Sequence, residues 1–374
     1  MQTVRVDSSP EIQPLVDERA NRLFLFGQSN TAVLDATSGQ LLTTAPATGD
    51  VAALDTAHGR LWLADSATGR VSMLDTKRGA VLHTAIVGRV PRALAVDDRT
   101  NRVFILNAGD ATVSMLDAAS GHVLRTTPIP GGLPSADPTV GVQLAVDEAT
   151  GRVFAIRANT GIVAVLDATD GALVGTARVG AAPGPLLVND RRGRAIVVNH
   201  FSNSVSVLDA ASGRLLHTIR VGKIPHALAL DRQAGRAFVV NYADGTVSAL
   251  DTASGALIAT AHAGVSPEAI AVDEQSGRAY VTGNGNGYGL VSVLDTHSGA
   301  VLRVVRVGER PDAVVVDERA GRALVVSAYG SIVFPPDPWE WVPRWLRERA
   351  PLIPARPSPL PGVGGSVRIL DATR

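Results

Sequence analysis

Apolar residues come in short runs of four to seven along the whole chain, and polar turn-forming residues separate the runs. The stretch from Lys223 reads KIPHALALDRQAGRAFVVNYADGTVSALDTASGALIATAHAG and holds four such runs, ALALD, RAFVVN, TVSALD and ALIATAHAG. Turn signals fall every 8–12 residues, which predicts an antiparallel β-meander and no helical repeat. Runs such as AIVVN and VFIL are apolar at both alternating positions. A strand of that kind has to be covered on both faces.

The same four-run unit recurs. A Leu-Asp pair places its Asp at 35, 75, 117, 167, 209, 251, 295 and 371, with intervals of 40, 42, 50, 42, 42 and 44 and a last one of 76. A second pair, Val or Leu before an acidic residue, falls at 17, 55, 97, 147, 231, 273 and 317, with Asn189 in the remaining slot. The two ladders interleave as eight units of about 42 residues, the signature of a repeat architecture. Radial stacking of four-stranded sheets covers such strands and protects their edges. The expected fold is therefore an all-β, eight-bladed β-propeller of four-stranded antiparallel blades, forming one domain over residues 1–374. Seven blades is the alternative.

Each ladder Asp ends a run and is followed three or four residues later by Gly or Asn, as in VLDAASGRLL. Its carboxylate accepts from backbone N–H groups two residues on, while Gly or Asn takes the left-handed conformation. The Asp residues are read as turn caps. After Asp371 only three residues remain, so the eighth unit lacks a fourth run. Thr3-Val4-Arg5-Val6 matches Thr218-Ile219-Arg220-Val221, the fourth run of unit five. The N-terminal segment is therefore expected to pair beside Ser366 to Leu370 and close the ring, removing a free sheet edge.

The segments PEAIAVD from Pro267, AYVTG from Ala279, VSVLDTHSG from Val291 and VVRVG from Val304 resemble the YVTN family of bacterial and archaeal β-propeller repeats. The resemblance runs over nearly the whole chain apart from two insertions. It implies the propeller fold, commonly with seven blades where the count here gives eight, and it implies no particular activity. It also allows an extracytoplasmic location. No apolar leader is visible at the start of the chain as given, which by itself points to the cytoplasm.

Composition narrows the chemistry. There are 35 basic and 35 acidic residues and no cysteine. Zero net charge makes nucleic acid an unlikely partner, because gripping phosphates needs a concentrated basic surface. Absent cysteine excludes thiolate zinc sites, iron–sulfur clusters, c-type haem attachment and cysteine nucleophiles. No apolar run is long enough to span a bilayer as a helix. The motifs HExxH, GxSxG and GxxxxGK[ST] do not occur, and NGNGYG, residues 284–289, is read as a lengthened hairpin. With four tryptophans in all, three of them at 339–345, the tryptophan docking repeats of quinone-dependent propellers are missing too.

Position supplies the remaining candidates. The residue five before each acidic slot of the second ladder is Ile12, Asp50, Arg92, Val142, Gly184, His226, Glu268 or Asp312. These are expected to ring the channel mouth on one face. His226, Glu268 and Asp312 fall on three consecutive blades, and imidazole with two carboxylates is a donor set for a divalent cation; a solvated rim is the other reading. No other cofactor is expected. Ends of second strands carry Asn107, Asn199-His200, Asn241-Tyr242 and Gly283-Asn284, read mostly as backbone caps, although His200 and Tyr242 exceed that role. The histidines at 58, 83, 122, 217, 262 and 297 are read as scattered surface residues without a ligand-spaced cluster. Arginines 102, 152, 194, 236, 278 and 322 are read as solubilising hairpin charge.

Two insertions, residues 128–141 and 334–362, interrupt the period on the face of the collar. The second contains nine prolines and an apolar group including Trp341 and Trp345, more aromatic surface than so short a segment buries within itself. The expected function is a non-enzymatic, monomeric binding scaffold that takes a protein or small-molecule ligand on the insertion face. Candidate contacts are Arg92, His200, His226, Tyr242, Glu268, Asp312, Trp341 and Trp345. A metal-dependent hydrolase or lyase at the channel mouth is the alternative.

Overall fold

The computed structural model describes residues 15–17, 19–27, 30–36, 38, 40–131, 142–157, 160–285, 288–307, 311–317, 322–327 and 366–371. Among them every regular element is a β-strand. Packing divides the chain into two compact units, residues 1–177 and 178–374.

The first unit is built from four four-stranded antiparallel sheets, each a meander in chain order. They comprise β1–β4 (first strand Leu15–Asp17, last Leu41–Ala45), β5–β8 (Val51–Asp55 to Val81–Ile86), β9–β12 (Pro91–Asp97 to Val123–Pro128) and β13–β16 (Val142–Asp147 to Leu173–Arg178). The second unit holds β17–β20 (Pro183–Asn189 to Leu215–Arg220), β21–β24 (Pro225–Asp231 to Leu257–His262) and β25–β28 (Ile270–Asp273 to Val301–Val307). Its last sheet is the three-stranded β29 (Pro311–Asp317), β30 (Arg322–Ser327) and β31 (Ser366–Asp371). Among the described residues there are eight sheets, seven of them four-stranded, which fit the eight-bladed β-propeller that the repeat count predicts. The expected closing segment, residues 3–6, lies outside the described residues. So do residues 132–141 and the whole of 334–362.

Burial follows the run pattern. The second and third strands are buried almost throughout, as in Arg194–Asn199 and Ser204–Asp209, while the fourth alternates, as in Val81–Ile86. Leu82, Ile86, Leu257 and Leu302 on fourth strands are therefore exposed. The fourth strand carries a register shift opposite the Leu of the Leu-Asp pair in sheet after sheet, at Leu34, Leu74, Leu116, Leu208, Leu250 and Leu294. A bulge on an outer strand twists it away from edge-to-edge pairing.

The core is a series of layers, each between neighbouring sheets. In the first unit Phe24 and Val33 pack against Leu61 and Leu63, Trp62 and Met73 against Val103 and Ile105, and Phe104 and Met115 against Val153 and Ala155. In the second, Ile196 and Val207 meet Leu230 and Val239, and Phe238 and Val247 meet Ala279 and Val281. Each fully buried aliphatic or aromatic side chain contributes about 1.5–3 kcal/mol. The repeat is thus stabilised layer by layer.

The ladder Asp residues cap turns, as their spacing predicts. Asp209 Oδ1 accepts from the Ser212 N–H at 2.9 Å and the Ser212 hydroxyl at 2.7 Å. Asp251, Asp117 and Asp295 repeat the arrangement with Ser254, Ser120 and Ser298. Asn189 does the same with the Arg192 N–H. The residues of the second ladder, such as Asp55, Asp97 and Asp147, are buried. The turn arginines are not free solubilising charge: Arg102 pairs with Asp117 at 3.1 Å and Arg152 with Asp167 at 2.7 Å. Arg194 and Arg236 likewise face Asp209 and Asp251. The cause is register, since strands two and three bring each Arg directly opposite the Leu-Asp carboxylate.

Candidate functional site

Asn107, Asn199 and Asn241 are completely buried. Each donates from Nδ2 to two hydroxyls of the third strand: Thr112 and Ser114, Ser204 and Ser206, Thr246 and Ser248, all at 2.9–3.1 Å. Each also packs on the glycine that ends the preceding sheet, where a Cβ at Gly88, Gly180 or Gly222 would lie 2.7 Å from Asn side-chain carbon. The Asn series is a structural joint. The NGNGYG segment is a lengthened hairpin, with Asn284 paired to Gly289 and the Gly285 N–H bonded to the Tyr288 carbonyl at 2.7 Å.

The residues just past that joint and those of the connection into the next sheet form one set of loops. Val90, Ala182, Ile224 and Ser266 each precede a proline and have positive φ, between 46° and 51°. For β-branched Val90 and Ile224 that conformation is strained. Backbone bonds hold it: the carbonyls of Val90, Ala182 and Ile224 accept from the N–H of Ala108, His200 and Tyr242 at 2.9–3.0 Å. Recurrence over several sheets identifies this strain as part of the repeat.

In the first unit the expected collar residues Asp50 and Arg92 meet in an ion pair at 3.1 Å. Asp50 also accepts from the Ser66 backbone N–H at 2.9 Å and from its hydroxyl. This carboxylate is already committed to holding neighbouring loops. Val142 opens β13, and its side chain lies outside the description.

The second unit brings together His200, His226, Tyr242 and Glu268. The rings of His226 and Tyr242 meet edge to face, with centroids 5.5 Å apart. His226 Nε2 lies 3.7 Å from Glu268 Oε2, beyond hydrogen-bond distance, and neither ring nitrogen of His226 has a hydrogen-bond partner. The His200 ring lies over Gly184, where a Cβ would stand 2.1 Å from Nε2; only glycine admits the imidazole there. Burial holds His200 below the ordinary histidine value and the His226 charge adds to this, while the Pro225 carbonyl opposes both. Phe201, next along, is 81% exposed, with Ile224 and Val265 exposed on the adjoining connections. Sequence reading passed over Phe201; its signal is an aromatic where the equivalent turn of the third sheet has Gly109.

Of the expected donor set, His226 and Glu268 come together, and the side chain of Asp312 lies outside the description, as do Trp341 and Trp345 entirely. Ile12 is outside it too. One expectation is corrected. His58 is exposed, as read, but it is not without ligand-spaced neighbours: it lies with Asp55 and Asp98 in a compact group. The third member comes from a different sheet, so chain spacing held no trace of it. Burial, with the charge of Asp55 next in weight, holds Asp98 above the usual carboxylate value.

The family model described as "Outer membrane protein assembly factor BamB" matches residues 109–288, a little under half of the chain. None of the curated proteins compared matches it. Among solved structures, BamB from Moraxella catarrhalis is similar over 87% of this chain and 96% of its own, at 16% identity and a TM-score of 0.62. The computationally designed protein Ika8 is similar over 82% and 90%, at 18% identity and 0.60. The dihydro-heme d1 dehydrogenase NirN, in complex with DHE, is similar over 83% and 69%, at 14% identity and 0.62. At these identities the likeness shows the β-propeller repeat fold. Among the described residues no helix is long and apolar enough to cross a membrane.

Proposed function

We propose that this chain, whose repeats resemble the YVTN type, is a binding propeller. Its second unit recognises a protein partner through the loops that carry His200, Phe201, Ile224, Tyr242 and Val265. One observation carries the reading: Phe201, Ile224 and Val265 are exposed apolar side chains on neighbouring loops, and Phe201 is 81% exposed. Protruding apolar residues beside polar ones suit a protein interface, whereas small-molecule sites are concave. The likeness to BamB, whose family description names an assembly factor, agrees with such a role. The metal-dependent enzyme is the less supported alternative, since His226 and Glu268 supply two of the three donors it needs.

The test is site-specific photo-cross-linking in cells with a benzophenone amino acid at position 201, and at exposed Leu257 on the outer strand β24 as control. One discrete adduct at 201, absent at 257 and lost in Tyr242→Ala, is the expected result. No adduct at 201, or equal adducts at both positions, overturns the reading.

A further inference from the structure

A different cluster lies in the first unit, at the turns between first and second strands. Asp55 closes β5 and its carboxylate is fully buried. His58 donates its backbone N–H to Asp55 Oδ1 at 2.9 Å, and its ring Nδ1 lies 3.0 Å from both carboxylate oxygens. Asp98, the first residue after β9 in the neighbouring sheet, completes the group. One donor atom from each of the three falls within 4.8 Å of the others.

The Asp55–His58 contact taken alone is an ordinary turn. In the turn after β13 the matching position is Thr150, whose hydroxyl donates to Asp147 Oδ2 at 2.7 Å. Asp98 reaches in from the next sheet, as Glu148 and Glu274 do toward the backbone N–H of Asp98 and Arg232, but here the carboxylate meets an imidazole and a buried carboxylate. A cavity of about 340 Å³ adjoins the group and shares His58 with it; Asp17, Arg19, Thr56, Thr76 and Lys77 also line it. Asp17 is 1% exposed; its Oδ1 accepts from the Ala20 N–H, and its buried Oδ2 has no hydrogen-bond partner. Thr76 is equally buried and its hydroxyl is unpartnered, whereas the matching Thr252 donates to the Gly235 carbonyl at 2.9 Å. The cavity wall therefore holds two buried oxygens still lacking a donor or a cation.

We propose that Asp55, His58 and Asp98 bind a divalent transition-metal ion, for which Zn²⁺ is the best match. An imidazole with two carboxylates selects such an ion over Mg²⁺ or Ca²⁺, which prefer oxygen alone. Ligands at 2.0–2.1 Å from a tetrahedral ion stand roughly 3.3 Å apart, so the 3.0 Å between Nδ1 and the Asp55 oxygens needs only a slight opening. The ion takes the Nδ1 lone pair of the neutral imidazole, whose proton then sits on Nε2. Asp55 Oδ2 and Asp98 supply the carboxylate donors, and water completes the shell on the cavity side. Arg19 and Lys77 on the cavity wall are exposed, so their side chains are free to withdraw into solvent.

Calorimetric titration of the chelator-stripped full chain with Zn²⁺ tests this. Asp98→Asn removes the charge from the neighbouring sheet, and His58→Thr restores the turn found at Thr150; melting of the metal-free variants verifies that both are folded. One equivalent of Zn²⁺ is expected, undisturbed by about tenfold excess Mg²⁺, with affinity lowered at least about tenfold in each variant, as for a disturbed metal site. No uptake by the parent protein, or uptake that neither substitution weakens, overturns the proposal.

Discussion

The phenol ring of Tyr242 stands perpendicular to the imidazole of His226, at 90° and 5.5 Å between centroids, four residues along the chain from the fully buried Phe238. Both aromatics belong to the second strand of one repeat or to its end, yet they do different work. Phe238 fills the layer between two sheets, and Phe238→Ala is expected to cost about 3–5 kcal/mol. Tyr242→Ala is expected to cost about 1 kcal/mol, the size of an edge-to-face ring contact. Urea denaturation of the two variants measures the contrast. A Tyr242→Ala cost as large as that of Phe238→Ala would make the tyrosine a packing residue and remove it from the contact surface.

The turn caps set a second expectation. Asp209→Ala and Asp251→Ala should each destabilise by about 1 kcal/mol, the worth of a local side-chain-to-backbone bond, and leave any partner binding unaltered. Equilibrium unfolding and the cross-linking yield at position 201 report the two effects separately. Loss of the cross-link with unchanged stability would show that these carboxylates act in recognition.

The sheet junction is tighter still. A Cβ at Gly222 would sit 2.7 Å from Cγ of Asn241, which is fixed by Thr246 and Ser248 and has no room to retreat. Gly222→Ala is expected to cost about 1–3 kcal/mol through overpacking. Gly175, with open space around its Cβ position, is the control, and Gly175→Ala should be neutral or slightly stabilising. Thermal melting of both variants decides it; equal effects would refute the junction.

Stability should also depend on pH through His200. Its folded value lies below the ordinary 6.5, so between the two values the unfolded chain holds a proton that the folded one does not. The contribution is complete above about 6.5 and declines as pH falls toward the lowered value. His200→Gln should therefore show a shallower loss of melting temperature between about pH 7.5 and 5 than the parent protein. The turn carboxylates act lower down. Asp209 and Asp295 are held below the usual carboxylate value by Ser212 and Ser298, so their contribution is present above about pH 4 and is lost on further acidification. Identical pH profiles for parent and His200→Gln would contradict the first of these effects.

Much of the architecture was legible in one dimension because its causes are local. An Asp capping its own turn, a Gly or Asn three or four residues later and a strand apolar on both faces are short-range events repeated every 42 residues or so. Counting them returned eight sheets and the acidic residue or Asn189 that ends each first strand. The contact of His226 with Tyr242 joins residues 16 apart across one hairpin, and the pairing of Arg102 with Asp117 follows from strand register. Neither reads off composition. Arrangements that join different repeats were settled only in three dimensions. Gly222 against Asn241 and Asp98 beside Asp55 and His58 depend on how one sheet is rotated on the next. That rotation is set by the shapes of the buried layers, which no single short run of the chain encodes.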